Sequence, residues 1–468
     1  MILPFAVLLV LIALGPLFFS GWWGRHYAKV ALAFAAVTLT YYLGWLGAPG
    51  RARTLGTAEE YFGFICLIGS LYIVSGGIHI TVKGESTPLK NVLFLLFGAV
   101  LANFLGTTGA SMLLIRPWLR TNKYRITAHH VVFFIFIVSN VGGCLTPIGD
   151  PPLFLGFLKG IPFWWVAEHC WPMWAVALVV LLAIFYVLDR RNFRRAARHV
   201  RAQETTREIW RFNGLANLFF LALILVAVFL SHPRLLREGL MITAALGSYF
   251  TTKRQIHESN DFDFHPVREV AILFIGIFAT MMPALDWLQG NAGQFLGSEP
   301  HPAVFYWGSG VLSSVLDNAP TYLAFLSANF GLFVDADLIA QVQAHLASGT
   351  IDFTGLTGVQ GAQIHQTLLA LQKFHGAAIA AHSVTVDEIS VCFLLGNASF
   401  INYILAISVG AVFFGANTYI GNGPNFMVKS IAEHQKVRTP GFLGYIFKFT
   451  LPYLLPVLLL IWWIFFRQ

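Results

Sequence analysis

The sequence predicts an all-α polytopic membrane protein with about ten spanning helices, two re-entrant hairpins and two broken helices. Hydrophobic residues make up 57% of the 468 residues, and charged residues only 11%, which is well below the share in soluble domains. Several apolar runs reach the roughly 20 residues that span a bilayer. Glycines and prolines interrupt two of these runs, which lie in corresponding halves of the chain.

The first interruption is the stretch 139–152, within the apolar segment 131–157. It contains three glycines and three prolines, so the backbone cannot remain α-helical through it. It also contains the carboxylate Asp150 and the polar side chains Asn140 and Thr146. Irregular backbone and a charge at membrane depth are tolerated only where they line a cavity or a site. We therefore predict that these residues bind an ion or a substrate.

The second interruption lies within the segment 404–431 and resembles the first. The stretch 415–424 matches 143–152 at its first glycine, its threonine, isoleucine and second glycine, and its last proline. In this alignment Asn422 takes the place of Asp150. The polar residues Asn417, Thr418 and Asn422 are the corresponding site candidates. Two broken segments in corresponding halves are typical of a transporter site near the bilayer midplane.

Two further apolar runs, 92–119 and 304–330, carry a polar tip between arms that are too short to cross a membrane. We interpret both as re-entrant hairpins. For the first run, a single span with a glycine-rich packing face is the alternative. The candidate residues at the two tips are Thr107, Thr108, Ser111, Asp317, Asn318 and Thr321.

The other apolar segments are predicted to span the membrane. In chain order they are 3–19, 30–47, 62–82, 163–188, 215–230, 240–250, 270–288 and 442–466. The arginine-rich stretch 190–211 is the densest basic loop and is therefore predicted to be cytoplasmic, with both termini extracytoplasmic. The segment 334–388 contains one lysine, no arginine and five acidic residues, including Asp335 and Asp352, and we interpret it as an extracytoplasmic insert.

This pattern divides the chain into a first repeat (1–188), a cytoplasmic basic linker (189–213) and a second repeat (214–468). Each repeat contains a hairpin followed by a broken helix, and the charge pattern gives the two repeats opposite orientations in the membrane. We expect the two tips and the two breaks to meet near the midplane.

The predicted site contains two carboxylates and no lysine or arginine, which favours a cation over a polyanion. We predict a sodium site formed by Asp317, Asp150, Asn417 and Thr418. For each aspartate the alternative is a structural role as a helix cap or hairpin-closing group, and Asp-Pro-Pro at 150–152 is a good helix start. Beyond sodium and protons, no cofactor is expected.

The motifs Ser139–Gly143, Thr146–Pro152, Leu316–Thr321 and Gly415–Asn422 resemble those of the ion transporter superfamily. This superfamily includes NhaD-type sodium/proton antiporters, arsenite permeases and citrate or dicarboxylate transporters. The resemblance extends over nearly the whole chain except the insert 334–388. It implies an inverted-repeat fold, a homodimer formed through scaffold helices and an elevator-like movement of the hairpin-bearing domain. The hairpin tips differ from the Ser-Asn-Thr tips of the dicarboxylate branch.

On these grounds we expect a secondary active transporter in the cell (inner) membrane, most simply a sodium/proton antiporter. A citrate-like anion transporter and an arsenite permease, for which Cys144 would matter, are the alternatives within this class, and a channel is a further one. The net charge of +8 does not indicate nucleic-acid binding, because the basic residues lie in loops between spans. An enzyme is not expected either, because the sequence shows no nucleophile–base pair or metal cluster. The expected partners are membrane lipid and a small ion or solute.

Overall fold

The structure is a computed structural model that describes residues 1–83, 86–195, 209–230, 235–297, 300–334, 336–346, 351 and 353–467. Most of the predicted basic linker (196–208), Asp335 and Asp352 lie outside these ranges. The helices are α1 (Leu3–Phe18), α2 (Ser20–Gly44), α3 (Gly47–Gly76), α4 (Pro88–Thr121), α5 (Ala128–Ile137), α6 (Pro151–Leu158), α7 (Phe163–Arg195), α8 (Asn217–Val228), α9 (Leu236–Thr251), α10 (Arg254–Ser259), α11 (His265–Leu296), α12 (Pro302–Val315), α13 (Asn318–Phe333), α14 (Ala336–Leu346), α15 (Gly358–Ala380), α16 (Val386–Gly396), α17 (Ala398–Phe414), α18 (Gly423–His434) and α19 (Phe442–Phe466).

Helices dominate the described residues, as predicted. By length and composition alone, eight helical stretches of the described residues could cross a membrane, among them the bent α4 and the stretch Ala128–Leu145 that extends beyond α5. Helices α13 and α14 together are a candidate for a ninth, bent span. The final helix, α19, contains π-helical turns at Ile446–Leu454 and Trp462–Phe466. The prediction of an all-α polytopic membrane protein is confirmed.

One predicted span boundary is wrong, because a short antiparallel strand pair forms at this point. Strand β1 (His79–Lys83) pairs with β2 (Ile209–Asn213), with His79 opposite Asn213. The third span was predicted to continue to Val82, but α3 ends at Gly76. Since residues 79–83 bond to β2, their backbone groups are satisfied across the strand pair and not within a helix.

The first hairpin is formed by α4, which reverses its direction at Gly106. Gly106 has φ 72° and ψ 156°, a left-handed conformation that glycine adopts at little cost. The rings of Phe94 and Trp118 are only 5.3 Å apart. In a straight helix, 24 residues would separate them by about 36 Å. The two arms of α4 therefore lie side by side as a hairpin, which excludes a straight single span, and its re-entry into the membrane stays a prediction.

The second hairpin consists of α12 and α13, which are separated by Leu316 and Asp317. Its arms lie side by side, with the rings of Phe305 and Phe325 6.0 Å apart. Asp317 is the N-cap of α13 and accepts a hydrogen bond from the Ala319 backbone N–H at 3.0 Å. The cap ends one arm and starts the other.

A threonine attaches each break to the first arm of the hairpin in its own half of the chain. Thr146 donates to the Asn103 carbonyl at 2.6 Å, and Thr418 donates to the Ser314 carbonyl at 2.6 Å. Each hydroxyl also accepts the backbone N–H of the glycine three residues later. Thr146 and Thr418 are aligned positions of the two repeats, so this shared pattern of contacts supports the proposed internal repeat.

The helices form two groups that meet along α3 and α11. One group consists of α1, α2, α3, α8, α9 and α11. The other contains both hairpins and both breaks, together with α5, α6, α7, α17 and α18. Helix α11 packs against α13 of the second hairpin, and α3 packs against α4 of the first. We call the first group the scaffold and the second group the hairpin unit. Helices α15 and α16, which follow the second hairpin, pack against each other.

Candidate functional site

Asp150 lies at the point where both hairpin tips and both breaks meet. Its side chain is fully buried. Oδ1 accepts hydrogen bonds from Thr107 Oγ1 at 2.7 Å and Asn422 Nδ2 at 3.1 Å, and Oδ2 accepts one from Asn318 Nδ2 at 2.6 Å. Thr107 belongs to the first tip, Asn318 to the second tip and Asn422 to the second break. The three donors satisfy both carboxylate oxygens, and no basic side chain among the described residues bonds to them.

A network of amide side chains joins the two breaks behind Asp150. Asn140 donates to Asn425 Oδ1 at 2.7 Å and accepts from Asn422 Nδ2 at 3.2 Å. Asn425 in turn donates to the carbonyls of Gly415 and Thr418, at 2.7 and 2.9 Å. Backbone carbonyls that the second break leaves without helical partners are thus bonded to an asparagine.

Asp317 lies in a small cavity between the hairpin unit and the scaffold. The cavity has a volume of about 60 Å³, and its polar lining residues include Asp317, Thr108 and Asn422. The facing wall comes from α3 and α11 and is apolar apart from Tyr72, with Ile68 and Phe274 as examples. Among the described residues that line the cavity, none is lysine or arginine. Its only charge is therefore a carboxylate.

The Asp317 carboxylate is less completely bonded than that of Asp150. One oxygen, Oδ1, caps α13, and among the described residues the other has no hydrogen-bond donor. Asp317 is half-buried. A carboxylate oxygen that faces a cavity without a donor is a ligand of the kind that hard cations bind.

Two buried amide oxygens in the same region have no hydrogen-bond donor within the described part of the chain. They are Asn318 Oδ1 and Asn417 Oδ1. The amide nitrogens of both residues are bonded, Asn318 to Asp150 and Asn417 to Ser314 Oγ at 2.8 Å. The bonds made by the amide nitrogens therefore determine which way each side-chain amide is turned. An excess of acceptor oxygens over donors suits a cation.

Several predicted site residues have local structural contacts. Thr146 and Thr418 hold the breaks, as described above. Thr321 donates to the Asp317 carbonyl one turn earlier at 3.0 Å, and the hydroxyls of Ser111 and Ser139 lie 2.7 Å apart. These contacts fix the hairpins and breaks in place.

The predicted sodium ligands fall into two places. Asp150 and Asp317 lie near each other around the second tip, with Asn318 between them in contact and in sequence. Asn417 and Thr418 instead contact Ser314, three residues before Asp317. Among the described residues, no hydrogen bond joins Asn417 or Thr418 to either aspartate.

Sequence reasoning missed Asn103, which lies three residues before the first tip. Its Nδ2 donates to the Gly142 carbonyl at 2.7 Å, and its Oδ1 accepts the Leu145 backbone N–H at 2.9 Å. Ser314, the corresponding residue of the second hairpin, donates to the Gly310 carbonyl in its own arm at 2.9 Å, and its hydroxyl lies 3.4 Å from the Phe414 carbonyl. A polar residue in an apolar arm was the available signal.

A second polar cluster is buried away from this cavity, where the ends of α4, α5 and α7 meet. His129, His130 and Asp189 offer nitrogen and oxygen atoms within 4.8 Å of one another. Arg125, however, bonds to both oxygens of Asp189. A divalent metal there would compete with a guanidinium that already neutralises the carboxylate, so we interpret the cluster as a buried ion pair that joins helix ends.

Comparison with known proteins gives a family for the whole chain. A family model described as "Putative citrate transport" matches residues 1–466. A 46 kDa membrane protein of Mycobacterium leprae is 26% identical over 66% of this chain and 75% of its own length. An uncharacterized transporter of Mycobacterium tuberculosis is 24% identical over 75% of this chain and 87% of its own length. These relatives, like the apolar helices, indicate a multi-pass membrane transporter.

Proposed function

We propose that this chain, which belongs to the "Putative citrate transport" family, is a transporter that exchanges sodium for protons. Sodium and protons compete for Asp317, with Asp150 as a second, more fully bonded carboxylate. The cavity around Asp317 carries the proposal, because its charge is a carboxylate and its described lining contains no lysine or arginine. A small cation is the simplest ligand for such a cavity.

The buried acceptor oxygens of Asn318 and Asn417 support the same ligand class. Each costs free energy while it has no partner, and a sodium ion beside either oxygen would remove that cost. Asp317 and the Asn318 oxygen belong to consecutive residues at one tip. We therefore propose Asp317 and Asn318 as the central ligands, with Thr108 and Asn422 at the rim of the cavity.

Alternating access is proposed because the hairpins and breaks are bonded into one unit while α3 and α11 form the opposite wall. Asp150 and its three donors join four segments of the hairpin unit. Movement of this unit against the scaffold, as in an elevator, would carry the site across the membrane without breaking those bonds. A homodimer formed through the scaffold, in the inner membrane and with both termini outside, is part of the same proposal.

A citrate-like anion, coupled to sodium or protons, is the second candidate. The family description favours it. Since the cavity supplies no cationic side chain, the anion would have to bind together with sodium or at helix N-termini such as that of α13. An arsenite permease is a third reading within the same class.

The test is flux in proteoliposomes that contain the purified protein. Sodium, citrate and arsenite would each be added against an imposed pH gradient. We expect sodium alone to dissipate the gradient. Two results together would contradict antiport and favour the anion transporter: citrate uptake that requires sodium, and no sodium-driven proton movement when citrate is absent.

A further inference from the structure

The turn that follows α6 carries a buried lysine shared between two carboxylates of different helices. Lys159 is only 6% exposed. Its Nζ lies 2.7 Å from Glu60 Oε1 and 2.8 Å from Asp387 Oδ2. Glu60 lies on α3 in the scaffold, and Asp387 lies on α16. The lysine therefore connects the scaffold, the outer end of the first broken helix and the segment after the second hairpin.

The two carboxylates connect Lys159 to different groups of helices. Helix α16 packs against α17 and α13, which belong to the hairpin unit. It also packs closely against the same turn through Glu388. A Cβ atom added at Gly160 would lie only 3.0 Å from the Glu388 Cα. Because α16 packs on the hairpin unit, the Lys159–Asp387 contact moves with that unit, whereas the Lys159–Glu60 contact crosses from it to the scaffold.

A second ion pair between the hairpin unit and the scaffold lies beside the C-terminal end of α3. Arg116, on the second arm of the first hairpin, lies 3.5 Å from Asp261. Asp261 is in the turn between α10 and α11, and its neighbour Asn260 donates to the Gly76 carbonyl at 2.8 Å, where α3 ends. Glu60 and Gly76 are 16 residues apart, which is about 24 Å along a helix. The hairpin unit is therefore bonded to the scaffold at the middle of α3, through Glu60, and beside its C-terminal end, through Asp261.

We propose that the Lys159–Glu60 ion pair is a conformational latch that stabilises the present position of the hairpin unit against the scaffold. The inference rests on the alternating-access part of the proposed function. If the hairpin unit moves along α3, this contact has to break while Lys159 keeps Asp387 as its partner. Because Asp387 moves with it, the lysine is not left buried and unpaired, so the latch can open at moderate cost.

The test compares two variants, each of which neutralises one of the two carboxylates that pair with Lys159. Glu60→Gln removes the contact that crosses to the scaffold, and Asp387→Asn removes the contact that moves with the hairpin unit. Both leave Lys159 one carboxylate, so both should fold. The reporter is Val267→Cys, in the cavity wall opposite Asp317. Its labelling rate by a membrane-impermeant maleimide is measured from each side, in vesicles that contain the full chain.

We expect Glu60→Gln to change the ratio of the two labelling rates by about threefold to tenfold, because the loss of one partly buried ion pair shifts a two-state population by about that factor. Asp387→Asn should leave the ratio within about twofold of the parent. Asp261→Asn should shift it in the same direction as Glu60→Gln but less, because the Asp261 side chain is 80% exposed.

An unchanged ratio in Glu60→Gln, or an equal shift in Asp387→Asn, would overturn the latch. If the cysteine at position 267 is not labelled from either side, a second measurement tests the latch. The double variant Glu60→Cys with Lys159→Cys, bridged by a reducible bis-maleimide, should lose transport and regain it on reduction, and unimpeded transport in the cross-linked protein would also overturn the latch. Labelling does not require a known substrate. A shifted ratio without sodium exchange would therefore uphold the latch and refute only the ion assignment.

Discussion

Replacement of Asp150 by alanine and by asparagine should have very different effects on stability. In the alanine variant, Thr107 Oγ1 and Asn318 Nδ2 lose the acceptor that they share in this structure. Asn422 keeps acceptors, since its Nδ2 also lies 3.2 Å from Asn140 Oδ1 and 3.3 Å from the Ser139 carbonyl. Two buried donors at about 1–3 kcal/mol each give a loss of about 2–6 kcal/mol in the free energy of unfolding.

Asparagine at position 150 can keep all three bonds. Its oxygen can remain toward Thr107 and Asn422, and its NH2 group then faces Asn318. The Asn318 amide can turn over, because its Oδ1 has no donor in the described structure and is free to accept. We therefore expect Asp150→Asn to cost only about 1 kcal/mol while it removes the charge and impairs transport.

The assay is denaturant unfolding of the purified protein in detergent, with tryptophan fluorescence as the readout. Glu258→Ala is the control, because this carboxylate pairs only with Arg254 one turn earlier among the described residues and has a side chain that is 63% exposed. Its loss should be about 1 kcal/mol or less. If Asp150→Ala and Asp150→Asn were equally stable, the three donors would not depend on the carboxylate, and the central role given to Asp150 would be refuted.

Three further outcomes are expected. Asp317→Asn keeps the size and the cap of α13 but should abolish sodium-driven proton movement in proteoliposomes without loss of expression, and wild-type exchange would exclude Asp317 as the cation site. The apparent sodium affinity should fall as the pH is lowered, because protons occupy the same carboxylate, so an affinity that is constant between pH 6 and pH 8.5, a range of about 2.5 units, would argue against competition. Cysteines introduced by Arg198→Cys and Asp352→Cys should react from opposite sides of the membrane, and labelling from one side would contradict the inverted repeat.

The sequence alone determined the class of the protein and the location of its polar elements. Apolar runs of spanning length allow few alternatives, because each backbone group must be bonded within the membrane. Glycine and proline at the breaks, and the tips at Gly106 and Asp317, then fix where the helices must stop. These signals are local, and the helix bounds agree with them, apart from the residues after Gly76 that pair with a strand distant in sequence.

The tertiary structure decided which polar residues meet and what each of them does. The sequence identified Asp150 and Asp317 as the two carboxylates of the site and favoured Asp317 as its main charge. The packing shows that three donors surround Asp150, while Asp317 faces a cavity with one oxygen that has no donor among the described residues. Asn103 was not predicted, because its partners in the first break, Gly142 and Leu145, lie 39 residues or more further along the chain. The Lys159 contacts with Glu60 and Asp387 span 99 and 228 residues. Such pairings depend on how separate helices pack, and no local pattern encodes them.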